Sequence, residues 1–145
     1  MKQKPPKVLA KASGSSESAV PAEIKSKGKS VLIVEDERPL AHALEMKLQS
    51  QGYQTTIATN GECALVELKK NKYALVLLDL IMPVVDGFAV LEGMKSQKIR
   101  VPVIVLSNLG QDEDRAKAKE LGAIEYYVKS NTPIAEIIAR VNSAI

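Results

Sequence analysis

Unbroken apolar runs recur along the chain from residue 31 onward, and each ends in a residue with chemistry. Val31-Leu32-Ile33-Val34 leads into Glu35-Asp36, and Ala74-Leu75-Val76-Leu77-Leu78 into Asp79. Val103-Ile104-Val105-Leu106 leads into Ser107, and the shorter Tyr126-Tyr127-Val128 into Lys129. Aliphatic runs without polar alternation are what strands covered on both faces look like. The run at 53–58 alternates more, as an edge strand does. Between these runs the spacing turns helical. Over 38–51, Leu40, Leu44 and Leu48 recur one turn apart and Gly52 stops the helix. Thr59-Asn60-Gly61 opens a second helix with Ala64, Leu65 and Leu68, and Asp86 is the expected N-cap of a third with Phe88, Leu91 and Met94. A charged fourth helix spans 112–121. A fifth opens at Thr132-Pro133 and places Ile134, Ile137, Ile138 and Val141 on one face.

Five strands alternating with five helices through short loops predict an α/β fold, a doubly wound five-stranded parallel sheet with helices on both faces. Alternation alone does not give the strand order. The flavodoxin-like order 2-1-3-4-5 is the one that sets the first and third strands side by side, so that Asp36 and Asp79 can share an ion. Ligands bind beyond the carboxyl ends of such strands. Three carboxylates, a hydroxyl and an ammonium are therefore expected in one crevice.

That crevice has a chemical logic. Glu35, Asp36 and Asp79 as near neighbours disfavour joint ionisation unless a cation sits among them. An all-oxygen set suits Mg²⁺, with Mn²⁺ as the alternative, and no Cys/His cluster competes for zinc. Asp79 is the candidate nucleophile, a carboxylate that takes a phosphoryl group as an acyl phosphate. Lys129 would neutralise one phosphoryl oxygen and Ser107 would donate its hydroxyl to another. Taken singly, each acid reads as a strand-end or cap residue, Lys129 as a surface lysine and Ser107 as a strand terminus. The functional reading comes from their convergence.

Composition then narrows the setting. The chain is 145 residues long with a net charge of +3, which invites a nucleic-acid reading. Residues 1–30, however, carry seven lysines against Glu17 and Glu23, whereas residues 31–145 carry 13 Lys and Arg against 15 Asp and Glu. The basic excess belongs to the first thirty residues, and the remainder lacks the basic face of a DNA-binding domain. Residues 1–29, rich in Lys, Ser, Pro and Gly, are expected to be a disordered, solvated leader ahead of a single domain at 30–145. The single cysteine, Cys63, suits a reducing compartment and is expected to be a buried small hydrophobe. The single histidine, His42, is expected to face solvent. With no membrane span and no secretory signal, a cytoplasmic location is expected.

Four segments together carry a family resemblance: Val31 to Glu37, Leu77-Leu78-Asp79-Leu80-Ile81-Met82-Pro83-Val84-Val85-Asp86-Gly87, Pro102 to Ser107, and Gly122 to Lys129. In this order and spacing they resemble the receiver domain of two-component response regulators, of the single-domain type with no output domain. The resemblance implies that Asp79 accepts a phosphoryl group from a sensor histidine kinase or phosphotransfer protein. It implies that Glu35, Asp36, Asp79 and the Ile81 carbonyl hold Mg²⁺, and that Ser107 and Lys129 bind the phosphoryl oxygens. It further implies that Tyr126 turns inward when Ser107 moves, altering the face made by the fourth helix, fifth strand and fifth helix. That face would meet a downstream protein or a second copy as a homodimer, with no direct nucleic-acid contact.

Three positions depart from the common family pattern. Asn108 stands where a small residue is usual, Ser130 where a proline is usual, and Glu35 where aspartate is more frequent. Two residues after Asp79 and after Ser107 stand Ile81 and Leu109, which cannot orient an attacking water, so the acyl phosphate is expected to be long-lived. The chain is expected to be no enzyme beyond its own phosphorylation and slow dephosphorylation. A small aspartyl phosphohydrolase would want a second acid where Ile81 stands. The remaining alternative is a pseudo-receiver that binds partners without phosphorylation.

Overall fold

A computed structural model describes residues 28–145. The expected leader lies outside the described residues except for Gly28 and Lys29. The chain runs β1 (Ser30–Val34), α1 (Arg38–Ser50), β2 (Gln54–Ala58), α2 (Gly61–Lys70), β3 (Leu75–Leu78), α3 (Gly87–Ser96), β4 (Val103–Ser107), α4 (Asp112–Glu120), β5 (Glu125–Val128), a 3-10 turn (Lys129–Asn131) and α5 (Ile134–Ala144). All five strands are parallel, in the order β2-β1-β3-β4-β5. This is the expected doubly wound sheet, in the flavodoxin-like order that sets β1 beside β3.

The apolar runs explain the layering. Alternate residues of one strand point to opposite faces. Val31 and Ile33, Leu75 and Leu77, and Ile104 and Leu106 pack against Ala41, Leu44 and Leu48 of α1 and Ile137, Ile138 and Val141 of α5. Their neighbours Leu32, Val34, Val76, Leu78 and Val105 pack against Ala64 and Leu68 of α2, Val90, Leu91 and Met94 of α3, and Ala118 of α4. Each central strand buries both faces, so no polar residue interrupts it.

Local chemistry sets the helix ends. Asn60 Oδ1 accepts from the Cys63 N–H and Asp86 Oδ1 from the Ala89 N–H, both at 2.9 Å. Two glycines let the loop after β3 lie close to its neighbours. A Cβ on Gly61 would stand 2.2 Å from the Val85 carbonyl oxygen, and one on Gly87 2.3 Å from the Asp79 carbonyl oxygen. α5 starts later than expected: Thr132 uses its hydroxyl to donate to the Val128 carbonyl at 2.9 Å, and the N-cap position falls to Pro133 without a side-chain cap.

Cys63 corrects the sequence expectation, because it is exposed. The inward stripe of α2 is Ala64 and Leu68 with Gly61, and Cys63 sits about 100° of helical rotation away from Ala64. His42 faces solvent as expected. No described helix is long and apolar enough to cross a membrane.

Candidate functional site: an acidic crevice at the strand tips

Strand register brings the chemistry together. Val34 pairs with Leu78 across β1 and β3, so the next residues, Glu35 and Asp79, emerge side by side. The Asp79 N–H donates to the Val34 carbonyl and the Glu35 N–H to the Ala58 carbonyl, both at 3.0 Å, which fixes these backbones at the sheet rim. Leu78 also pairs with Val105, and Ser107 with Val128, so β4 and β5 deliver Ser107 and Lys129 to the same edge.

One carboxylate oxygen each from Glu35, Asp36 and Asp79 lies within 4.8 Å of the other two. Glu35 and Asp79 are buried and Asp36 is exposed. Two unit charges at that separation repel by about 3 kcal/mol at an effective dielectric of about 20. Lys129 answers part of this. Its Nζ stands 2.9 Å from Glu35 Oε1, 3.2 Å from Asp79 Oδ2 and 3.4 Å from Glu37 Oε1, with only 10 % of the side chain exposed. Burial pushes Glu35 up to about 7 against the pull of Lys129, and burial raises Asp79 as well. Burial opposes the charge on Lys129, but its hydrogen bond to Glu35 and the charges of Asp79 and Glu35 outweigh it and raise its pKa. The crevice gathers four carboxyl groups, those of Glu35, Asp36, Glu37 and Asp79, around one ammonium.

A divalent cation fits that imbalance. Mg²⁺ takes oxygens at about 2.1 Å, so two ligands on opposite sides of it stand about 4.2 Å apart. Oxygens gathered within 4.8 Å need little movement to meet it. The donor set is hard and all-oxygen, which matches Mg²⁺ or Mn²⁺. The Ile81 N–H donates to Asp79 Oδ1 at 3.2 Å. Ile81 itself is 52 % exposed.

Ser107 is fully buried at the end of β4 and its Oγ accepts from the Leu109 N–H at 3.2 Å. Tyr126 is turned inward and buried, with its hydroxyl donating to the Leu109 carbonyl at 2.5 Å. Burial raises the Tyr126 phenol pKa most, Asp114 adds to the rise, and Arg115 and nearby Ser107 oppose it. The Arg115 guanidinium covers the ring at 5.0 Å from its centroid. The ring expected to bury on phosphorylation thus already occupies the inward position.

Glu37 is the site residue that sequence reasoning missed. It follows the two acids directly, and both its carboxylate contact to Lys129 and its N–H, which donates to Glu35 Oε2 at 3.1 Å, belong to the crevice. The unbroken acidic run Glu35-Asp36-Glu37 was the available signal. Ser130 does not misdirect Lys129. The turn that follows is clipped by the Thr132 hydroxyl, and the ammonium reaches three acids.

A doubly wound parallel sheet whose first and third strands present buried acids beside a lysine defines a metal-competent acidic crevice at the switch point of the sheet. The chain belongs to the response regulator receiver domain family, whose sequence pattern it matches over residues 31–142. It is 38 % identical over 115 residues to the probable transcriptional regulator ycf27 of Porphyra purpurea, covering 79 % of this chain and 46 % of that protein. The chain spans about half the length of the curated relatives it matches. Among solved structures it resembles the receiver domain of the Francisella response regulator 1452, with a TM-score of 0.76, 32 % identity, and coverage of 81 % of this chain and 96 % of that one. It also resembles the response regulator TrrA of Thermotoga maritima, whose structure contains Mg²⁺ and beryllium fluoride, with a TM-score of 0.71, 31 % identity, and coverage of 81 % and 99 %.

Proposed function

We propose that this receiver domain is a phosphoacceptor in which Asp79 takes a phosphoryl group from a histidine kinase or phosphotransfer protein. The supporting observation is the placement of Lys129 Nζ 3.2 Å from Asp79 Oδ2 within the cluster of carboxyl groups gathered around that one ammonium. Asp79 Oδ2 attacks phosphorus, the donor's phosphorus–nitrogen bond breaks, and the donor imidazole leaves with the bonding pair. The Ile81 N–H holds the other oxygen, Oδ1, and so orients the nucleophile. Lys129 moves its contacts from carboxylate to a phosphoryl oxygen. Glu35, Asp36 and Asp79 would hold Mg²⁺, which when bound supplies the positive charge that screens two anions approaching each other.

The switch reading rests on Leu109. Its N–H and carbonyl already tie Ser107 to Tyr126. A phosphoryl group adds acceptor oxygens at the crevice and draws the Ser107 hydroxyl, which weights the population toward the inward ring. α4, β5 and α5 then present one surface for a downstream protein or a second copy. The domain would act in the cytoplasm, as an acceptor rather than a turnover enzyme.

Beryllium fluoride with Mg²⁺ tests this reading by nuclear magnetic resonance. Saturable shifts of the Asp79, Ser107, Leu109 and Tyr126 amides that vanish in Asp79→Asn are expected. A spectrum unmoved by the mimic would favour the phosphorylation-independent pseudo-receiver.

A further inference from the structure

The pole opposite the acidic crevice is basic. Lys29 precedes β1, Lys72 precedes β3, and Lys98 and Arg100 precede β4, while Lys95 and Lys119 close α3 and α4 at the same end of the parallel sheet. Backbone bonds tie these approaches together: the Gln54 N–H donates to the Lys29 carbonyl at 2.9 Å, the Ala74 N–H to the Ser30 carbonyl at 2.7 Å and the Val76 N–H to the Pro102 carbonyl at 2.9 Å. None of these six cations makes an ion pair among the described residues. Lys95 and Lys119 complement helix carboxyl ends, which accounts for them without any ligand. Lys72 and Lys98 directly follow the C-caps of α2 and α3 and can share that role, whereas Lys29 and Arg100 stand away from any helix end.

Lys98 is the more telling residue. Its φ is 59°, and it stands just past α3 where the Ile99 N–H closes onto the Met94 carbonyl at 2.9 Å. Glycine fills such a position at less conformational cost. Lysine at this position places a charge beside a hollow of about 430 Å³. Its floor is apolar, formed by Leu91, Met94, Ile99 and Leu121, and its rim carries Lys95, Lys98 and Arg100 against Glu120.

We infer that this basic pole is a peripheral docking surface for an anionic lipid bilayer. Unpaired cations ringing an apolar hollow match the boundary between headgroups and acyl chains, where both kinds of contact are available. A nucleic-acid backbone offers the phosphates and nothing apolar for the floor. The polarity of the domain also sets its orientation: the acidic crevice is repelled by the surface that attracts the far pole, which leaves Asp79 open to a donor. Residues 1–30, with seven lysines against two glutamates, have the wrong sign to fill the hollow themselves and the right sign to share the same surface.

The experiment is cosedimentation of the full chain with vesicles of phosphatidylcholine alone and with about a third phosphatidylglycerol. Anion-dependent binding that weakens with salt is expected, and Lys95→Gln with Lys98→Gly and Arg100→Gln should lower it about a hundredfold, at roughly fivefold per cation. Lys98→Gly alone should lower binding while leaving the melting temperature unchanged or higher, which separates charge from folding. Phosphoryl uptake by Asp79 should be unaffected in all of them, so failure here is distinguishable from failure of the phosphoacceptor reading. Binding that the triple variant does not weaken would show that the cations around the hollow do not carry it and would overturn the inference. Tighter binding to duplex DNA with the same variant dependence would overturn the lipid assignment, as would no difference between the two vesicle compositions.

Discussion

The phenol of Tyr126 is tied to the backbone of Leu109, donating to its carbonyl at 2.5 Å, and the N–H of that same Leu109 donates to Ser107 Oγ at 3.2 Å. One residue of the β4–α4 loop thus joins the aromatic ring to the hydroxyl at the tip of β4. Tyr126→Phe keeps the ring and removes the outer bond. A loss of about 1 kcal/mol in urea unfolding is expected, together with faster amide exchange over residues 108–111. Unchanged exchange in that loop would show that the ring does not brace it.

Ion binding is open to a direct thermal test. A ligand that binds only the folded state raises stability by about 2.7 kcal/mol at a hundredfold excess over its dissociation constant. Millimolar Mg²⁺ should raise the melting temperature of the wild type and have much less effect on Asp36→Asn, whose exposed carboxylate is one of the three clustered at the crevice. Equal stabilisation of both proteins would place the ion elsewhere.

Val84 occupies the loop after Asp79 with φ at 69° and is 79 % exposed. A β-branched residue in the left-handed region costs about 1–2 kcal/mol, and asparagine tolerates that region far better. Val84→Asn should therefore raise stability by about 1 kcal/mol, read from chemical denaturation. A decrease would show that the exposed valine makes a stabilising contact.

Gly87 tests the packing behind the acceptor. A methyl group there would meet the Asp79 carbonyl oxygen at 2.3 Å and the Leu80 Cα at 2.7 Å, both backbone atoms that cannot rotate away. Gly87→Ala is expected to cost about 1–3 kcal/mol and to shift the Asp79 amide resonance. Wild-type stability would mean the loop relaxes freely.

The lifetime of the phosphoryl group depends on who can hold water. Ile81 is apolar and half exposed beside Asp79, so nothing at that position orients an attack. A half-life well beyond seconds is expected for the purified phosphoprotein, and Ile81→Asn should shorten it several-fold. Because Ile81 is outside the core, its replacement leaves the melting temperature near that of the wild type.

The apolar runs made the strands legible because burial on both faces leaves no room for polar residues, and the positions of Glu35, Asp79, Ser107 and Lys129 followed from where those runs stop. The inward side of a short helix was less legible. Cys63 neighbours Ala64 in sequence, yet only Ala64 lies on the buried stripe. Glu37 escaped notice because its part in the crevice depends on the reach of Lys129 across 92 positions of sequence, which no local pattern encodes. The start of α5 moved because Thr132 spends its hydroxyl on the turn that carries Lys129 rather than on a helix cap. The inward state of Tyr126 depended on the loop carbonyl of Leu109, which a residue pattern does not specify.

Asp79 is the proposed phosphoacceptor. Intact mass after incubation with Mg²⁺ and acetyl phosphate tests it most directly, with wild type and Asp79→Asn run side by side. A single added phosphoryl group on the wild type and none on the variant is the result this account requires. An unmodified wild type, or equal modification of both proteins, would contradict it.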